Sequence, residues 1–319
     1  MVASILTRER RSVKLLIINN LASGYQEGAI YDFIRAFSQD NDEIVLRATD
    51  GRTDLRAFLH DASDFDAVVI SGGDGSIATV SHELANTGIP LVPFPAGTAN
   101  LLCANLAQPN EPHALAEMVR AGKTLDFDVA EIEVAGKCYG FNIMAGAGYD
   151  ATIMKNAAAS KQKLGQVAYF AAAATNITPK VAHMKLTLDN NVIESDGVGV
   201  VLINHSKIQF DIPVAHDTDP RDGMLDVAVL KTANALGLLP ALGAALLDRN
   251  GEFPGRSSNV EVHRARQVKV EAYPGLPIEF DGEPLDSTEP FIARVLPRAA
   301  RFIVSPEALK LYGEEKNAC

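Results

Sequence analysis

A chain of 319 residues, 47% hydrophobic and 22% charged, has the length of two domains and the composition of a folded globular protein. Its net charge of −11 argues against a general nucleic-acid binder, whose affinity rests on lysine and arginine neutralising phosphate. Three cysteines, Cys103, Cys138 and Cys319, and seven scattered histidines lack metal-ligand spacing, which suits free thiols in a reducing cytoplasm.

Met1 to Arg11 lacks the apolar run of a signal peptide, so a cytoplasmic chain is expected. From Val13 to about Gly122, VKLLIIN, EIVLRAT, DAVVI and IPLVPF read as strands. GAIYDFIRAFSQ, LRAFLHD, SIATVSHELAN and HALAEMVRAG read as the helices between them. Such alternation predicts a doubly wound α/β domain with a parallel sheet covered on both faces. After Thr124 the pattern changes to β-branched segments: DVAEIEVA, CYGFNIMA, HMKLTLD, GVGVVLIN, LDVAVL, QVKVEA and ARVL. A second, mainly β domain of sandwich type is therefore expected from about Asp126. Two helical patterns interrupt it, near Gln162–Asn176 and Ala233–Asp248. The second is the most apolar window of the chain, but Pro240 breaks it and it is too short to cross a bilayer. A short helix is expected over Pro306–Gly313.

Ligands of parallel α/β sheets bind beyond the carboxyl ends of the strands, and three loops fall there. In VVISGGDGSI a buried strand stops at Gly72 and a helix follows, so Ser71 to Ile77 form a turn whose amides can cradle phosphate. Simple chain reversal also uses glycines, yet Asp74 among phosphate-binding amides points to metal-assisted phosphoryl chemistry. Asn20-Leu-Ala-Ser-Gly24 follows the first strand, and PFPAGTAN offers Thr98 and Asn100 at a helix start. Each reads equally as an ordinary loop or cap, but their convergence would make one nucleotide site. Farther on, HDTDPRDGMLDV gathers Asp217, Asp219, Asp222 and Asp226, either a turn or an oxygen-rich cation loop. IEFDGEPLD reads as an Asp-Gly hairpin carrying Asp281 and Glu283.

The ordered set NLASG (20–24), GGDGS (72–76), PAGTAN (95–100), GAGYDA (146–151), PRDGMLDV (220–227) and DGE (281–283) resembles the diacylglycerol kinase catalytic-domain family. That family includes soluble bacterial lipid kinases and the sphingosine and ceramide kinases, with NAD kinases as more distant relatives. The GGDG turn alone also resembles phosphofructokinases, but their PGTIDND-like residues are absent near position 97. The resemblance runs from about Val13 to Pro306. It implies a nucleotide-binding lobe over 1–125, a β-sandwich lipid-substrate lobe over 126–298, and a segment 299–319 returning to the first lobe.

It further implies that Asn20, Ser23, Gly24, Thr49, Ser71, Gly72, Gly73, Asp74, Gly75, Ser76, Ile77, Thr98, Asn100 and Asp128 bind ATP or organise its Mg2+. Asp74 would serve the catalytic Mg2+, and Glu283 would be the general base toward a lipid hydroxyl. Asp222, with backbone oxygens of Asp219 and Met224, would hold a structural Mg2+. Leu21 replaces a family proline, and Leu101 stands where many members carry aspartate. The expected activity is ATP-dependent phosphorylation of diacylglycerol or a related lipid alcohol. The alternatives are an NAD kinase and a non-catalytic nucleotide- or lipid-binding regulator.

Expected partners are ATP and a lipid at the membrane surface, with peripheral contact, no transmembrane span and no nucleic acid; a homodimer is compatible with the sequence. The helical pattern Leu236–Leu247 and VAYFAAAATNI (167–177) read as core helices or as acyl-chain contacts. Arg8, Arg10, Arg11 and Lys14, or Arg264, Arg266 and Lys269, are basic clusters able to attract an anionic leaflet.

Overall fold

A computed structural model describes residues 12–23, 28–39, 41–148, 180–205, 207–208, 212–213, 218–231 and 259–313. The first lobe runs β1 (Lys14–Asn20), α1 (Ala29–Phe37), β2 (Glu43–Thr49), β3 (Ala67–Gly72), α2 (Asp74–Glu83), β4 (Pro90–Pro95), α3 (Leu101–Asn105) and α4 (Pro112–Ala121). Strands β2, β1, β3 and β4 pair side by side, all parallel. Alternate residues of each strand bury on opposite faces. Leu16, Ile18, Val68 and Ile70 pack with α2 and α3, whereas Leu15, Ile17 and Val69 pack with α1 and α4. Burial on both sides is why these strands read as unbroken apolar runs. Segment 55–61, expected as a helix, instead holds a 3-10 turn, Leu55–Phe58, with a second, Ala62–Asp64, just beyond it. Asp54 caps the first by accepting the Arg56 N–H, and its Leu55 and Phe58 pack, partly buried, against the core that α2 shares with the sheet.

The second lobe contains β5 (Thr124–Val134), β6 (Lys137–Phe141), β7 (Met144–Gly148), β8 (Ala182–Leu188), β9 (Asn191–Gly197), β10 (Gly199–Ile203), β11 (Lys207–Ile208), β12 (Ile212–Pro213), β13 (Leu225–Leu230), β14 (Val260–Ala265), β15 (Gln267–Tyr273), β16 (Ile278–Phe280), β17 (Glu283–Leu285) and β18 (Phe291–Ile303). The chain described ends with α5 (Pro306–Tyr312). The segment read as one strand, CYGFNIMA, divides into β6 and β7, because the backbone of Asn142 to Met144 turns to meet the Asp281 carboxylate.

One sheet orders β14-β13-β10-β7-β16-β17, and the other continues from the first lobe through β18 to β15, β8 and β9. Their facing sides share one core, with Ile132, Met184 and Val268 from one sheet and Leu202, Val227 and Ile278 from the other. The arrangement is an α/β domain with a mainly antiparallel β-sandwich.

Strand β18 ties the two together. It pairs antiparallel with β5 along its whole length, and on its other side it meets β15 at Phe291–Arg294 and β4, in parallel, at Arg301–Phe302. The expected boundaries at 125/126 and 298/299 therefore fall within paired strands. After β18, Ser305 caps α5 by accepting the Ala308 N–H, Ala308 enters the first lobe's core, and the Tyr312 hydroxyl donates to the Asn105 carbonyl at 2.9 Å. Among the described residues no helix is long and apolar enough to cross a membrane.

Candidate active site

The parallel register brings the ends of four strands to one edge. Asn20 lies opposite Thr49, Asn19 opposite Ser71, and Gly72 opposite Pro95. Beyond this edge the loops bind one another. Asn20 Nδ2 donates to Ser76 Oγ at 3.0 Å, and its Oδ1 accepts the Ala22 N–H. Ser23 Oγ accepts the Gly73 N–H at 3.1 Å. Below them Ser71 Oγ donates to Asn19 Oδ1 in a buried contact. Thr49 is also buried: its carbonyl accepts the Leu21 N–H and its Oγ1 accepts the Gly51 N–H. Gly24 lies outside the described residues.

The third loop closes on the second through glycine. A Cβ on Gly97 would stand 2.7 Å from the Gly73 Cα, so only glycine permits this approach. Asn100 is left-handed at φ 51° and accepts the Gly97 N–H at 2.7 Å, while Thr98 is exposed at the mouth. Because the Asn100 side chain turns back to Gly97, it does not cap α3. Asp74 Oδ1 does so from the start of α2, accepting the Leu102 N–H at 3.1 Å. Burial nevertheless pushes the Asp74 carboxyl above the usual carboxylate range, against the pull of the Leu102 and Leu101 amides.

The other wall comes from the second lobe. β16 and β17 form the expected hairpin, and its two turn residues, Asp281 and Gly282, both have positive φ, as a two-residue turn of this kind requires. The Asp281 carboxylate accepts the N–H groups of Asn142, Ile143 and Met144 at 2.7 to 3.0 Å. Burial pushes it up to about 7 despite these three donors, and the charge of Asp74 adds to the rise. This clasp fixes the hairpin against the loop between β6 and β7. Two residues on, Glu283 is exposed and projects to the first turn of α2. A Cβ on Gly75 would lie 3.3 Å from Glu283 Cγ and 3.5 Å from its Oε1.

The site thus assembles Asn20, Ser23, Gly72 to Ser76, Gly97 to Asn100 and Glu283 at one cleft. Ile77 contributes through its backbone: its side chain is buried in the core and its N–H returns to the Gly73 carbonyl. Asp128, expected beside Asp74, stands elsewhere. Its carboxylate takes the N–H groups of Gly223 and Arg298, both at 2.7 Å, and so joins the loop at 218–224 instead. Burial raises it to about 6, with Asp222 and Asp219 adding to the shift.

Near α2 the fit to Mg2+ is good at Asp74, a carboxylate whose charge burial disfavours and a divalent cation would offset, whereas both oxygens of Asp281 are already taken by backbone N–H groups. At Asp222 it is poor: Oδ1 accepts the Met224 N–H and Oδ2 is held by the Arg264 guanidinium, which already supplies the positive charge. Asp219 Oδ1 is turned to the Arg221 N–H.

Two features escaped the sequence. The three-amide clasp of Asp281 is one. The other is a cluster in which His82 Nε2 meets Glu131 Oε2 at 2.6 Å, Arg294 binds the other oxygen of Glu131, and the Cys138 thiol lies within 4.8 Å of both ligand atoms. His82 and Glu131 are 49 positions apart and Arg294 a further 163, so no local pattern marks them.

A family model for the diacylglycerol kinase catalytic domain matches residues 14–132, and one described as YegS C-terminal NAD kinase beta sandwich-like domain matches residues 143–304. The chain is 27% identical over 305 residues to a Pseudomonas aeruginosa protein named "Probable lipid kinase YegS-like", covering 93% of each. It is 25% identical over 278 residues to the diacylglycerol kinase of Bacillus subtilis, covering 84% of this chain and 88% of that one. An uncharacterized Synechocystis protein is 26% identical over 244 residues, and the chain spans about half of its length, 55%. Among solved structures, a diacylglycerol kinase from Bacillus anthracis superposes with a TM-score of 0.69 at 20% identity, over 93% of this chain and 98% of that one. An ATP-bound NAD kinase from Archaeoglobus fulgidus shares the fold at TM-score 0.52 and 13% identity, over 96% and 100%. Two adjoining lobes that match these two domain models in order make the chain a kinase of the diacylglycerol kinase catalytic-domain family.

Proposed function

We propose that this kinase transfers the γ-phosphoryl group of ATP to the hydroxyl of diacylglycerol or a related lipid alcohol, with Glu283 as the general base. The observation that carries the reading is the Glu283 carboxyl group set against Gly75, at the turn where a triphosphate would end. Asn20, Ser23, Ser76, Thr98 and Asn100 offer polar side chains around that turn, and Thr49 lies buried beneath its first wall. The Ser23 hydroxyl now holds the Gly73 N–H, so an arriving phosphate oxygen would replace it as acceptor. Asp74 would hold Mg2+, which when bound neutralises charge on the transferring phosphates.

Glu283 accepts the lipid hydroxyl's proton as that oxygen attacks phosphorus, a role that needs placement more than basicity. The Asp281 clasp provides the placement, because it anchors the hairpin on which Glu283 stands. The division into a nucleotide lobe (1–125), a lipid lobe (126–298) and a returning segment (299–319) is part of this proposal. So is peripheral contact with the membrane that supplies the lipid. No step is assigned to a metal at Asp219, Asp222 and Met224, where Arg264 already occupies the carboxylate.

The relatives named lipid kinase and diacylglycerol kinase support this substrate class. The ATP-bound NAD kinase neighbour keeps NAD as the second candidate acceptor. Incubation with radiolabelled ATP and either a total lipid extract or NAD decides between them. Label in the organic phase is the expected result. Label on NAD alone selects the other acceptor, and tight ATP binding without product over a broad lipid panel would leave a regulator.

A further inference from the structure

Where α2 crosses β5 and β6, three side chains of different chemistry meet. Arg294, Glu131 and Gly140 stand side by side on β18, β5 and β6, and Cys138, two residues before Gly140, shares their face of the sheet. Gly140 leaves the room that α2 uses. A Cβ there would overlap the His82 Cβ and stand 2.6 Å from its Cγ, so only glycine lets His82 lie across the strand and reach Glu131. His82 Nε2 then meets Glu131 Oε2 at 2.6 Å, and the nitrogen, carboxylate oxygen and Cys138 sulfur all lie within 4.8 Å of one another.

Imidazole nitrogen, thiolate sulfur and carboxylate oxygen are the donors that zinc takes, and around a tetrahedral ion such atoms stand roughly 3.5 Å apart. An ion fits here once His82 and Glu131 part by about 1 Å. Arg294 does not spend this carboxylate as Arg264 spends that of Asp222. There both oxygens are taken, whereas Arg294 holds only Oε1 of Glu131 and leaves Oε2 on the His82 side. A ligating carboxylate whose other oxygen is hydrogen-bonded is a usual arrangement at zinc, because the second contact fixes the ligand's orientation. The two charges of the ion would be met by Glu131 and the Cys138 thiolate, and Glu133, directly across from Cys138, adds a further negative charge. His82 and Cys138 are half-buried, which leaves solvent a path to the cluster and water the fourth position.

We propose that His82, Glu131 and Cys138 form a Zn2+-binding site separate from the cleft of Glu283. On binding, the Zn–S bond replaces the S–H bond of Cys138 and the thiol proton leaves to solvent, while His82 ligates through Nε2 with its proton on Nδ1. The ion ties the last turn of α2 to two strands of the second lobe, about 12 Å along the helix from Asp74 at its start.

The test uses the full chain without an affinity tag, freed of metal by dialysis against a chelator. It is titrated with ZnCl2 against a chromophoric zinc indicator, and with CoCl2, whose four-coordinate thiolate complexes show a sulfur-to-cobalt charge-transfer band. Wild type should take up one Zn2+ per chain with a saturable rise in Tm, and should develop the cobalt band. Cys138→Ser and His82→Asn should each weaken zinc binding at least about tenfold, since altering even a hydrogen-bonded partner of a ligand costs about that much, and Cys138→Ser should lose the band. Cys319→Ser should keep both. Cys103 is buried in the first lobe's core, so a band that survives Cys319→Ser belongs to Cys138 even where another variant does not fold. Absence of saturable zinc binding, a band lost in Cys319→Ser, or zinc binding by Cys138→Ser and His82→Asn equal to wild type overturns the proposal and leaves Glu131 as a hydrogen-bonded tie alone.

Discussion

At the scale of single residues, the site depends on where Glu283 stands. Its carboxyl group lies beside Gly75 on a hairpin whose turn is clasped by three amides, so replacing the carboxylate by an amide removes the proton acceptor and leaves the clasp untouched. Glu283→Gln should lower lipid-dependent ATP turnover at least a hundredfold, the usual contribution of a positioned base of about 10²–10⁴. Its circular dichroism and Tm should match wild type, and near-normal turnover would remove Glu283 from the base role.

His205 makes a second residue-scale argument. It is buried, stacks on Phe127, and its Nδ1 sits 2.7 Å from the Asn142 carbonyl, so that nitrogen is the donor of a neutral ring. Burial lowers its pKa to about 4. As pH falls below about 6.5 the unfolded chain takes up this proton first, so the stability that neutral His205 supports is complete above that pH and is lost toward pH 4. The loss is on the order of 3 kcal/mol at full extent. Asp128 and Asp281, whose pKa values are raised, act in the opposite direction over neighbouring pH ranges, so the comparison must be with a variant. Urea unfolding of wild type and His205→Asn at about pH 7.5 and about pH 4.5 should show the smaller pH-dependent loss in the variant.

Among the elements, the pairing of β18 with the loop before β13 turns on one carboxylate. Asp128 satisfies the N–H groups of Gly223 and Arg298 where β18 bulges, and alanine there would leave both without their acceptor. Asp128→Ala should cost roughly 2–4 kcal/mol in urea unfolding, as expected for two buried N–H groups each losing about 1–2 kcal/mol. A cost below about 0.5 kcal/mol would show that Asp128 does not organise the bulge. The same residue marks the limit of what sequence could reveal. Period-2 and strand-helix patterns disclosed the parallel lobe and the β-rich lobe because they record burial, which is local and repetitive. GGDGS, PAGTAN and DGE disclosed the cleft because glycine-dependent turns are written in adjacent residues. Asp128 carries no such record: the family resemblance implies a place for it beside the catalytic Mg2+, whereas its partners lie 95 and 170 positions away. Arg264 on Asp222 and Arg294 on Glu131 are hidden for the same reason, since ion pairs between segments distant in the chain leave no spacing to read.

At the scale of the whole molecule, the two lobes are not beads on a linker. β5 and β18 pair from Thr124–Ile303 at one end to Val134–Phe291 at the other, and the first lobe's β4 joins the same β18 that carries β15 of the sandwich. Side chains cross the cleft as well: His82 of α2 holds Glu131 of β5, and Asn142 Nδ2 donates to Ser81 Oγ at 3.3 Å. Opening one lobe alone would therefore break strand pairing inside the other and expose core shared along β18, such as Val295 on the sandwich side and Phe302 on the α/β side. Interfaces between independently stable domains are shallower and more polar than this. Unfolding should accordingly be a single cooperative transition. The chain has no tryptophan, but Tyr31 reports from the first lobe and Tyr139 and Tyr273 from the second. Far-ultraviolet circular dichroism follows both lobes, and single tyrosine-to-phenylalanine variants assign the fluorescence to one. Coincident urea midpoints across these probes are expected; two separated midpoints would show that one lobe can unfold while the other stays folded, and that the shared strand β18 does not couple them.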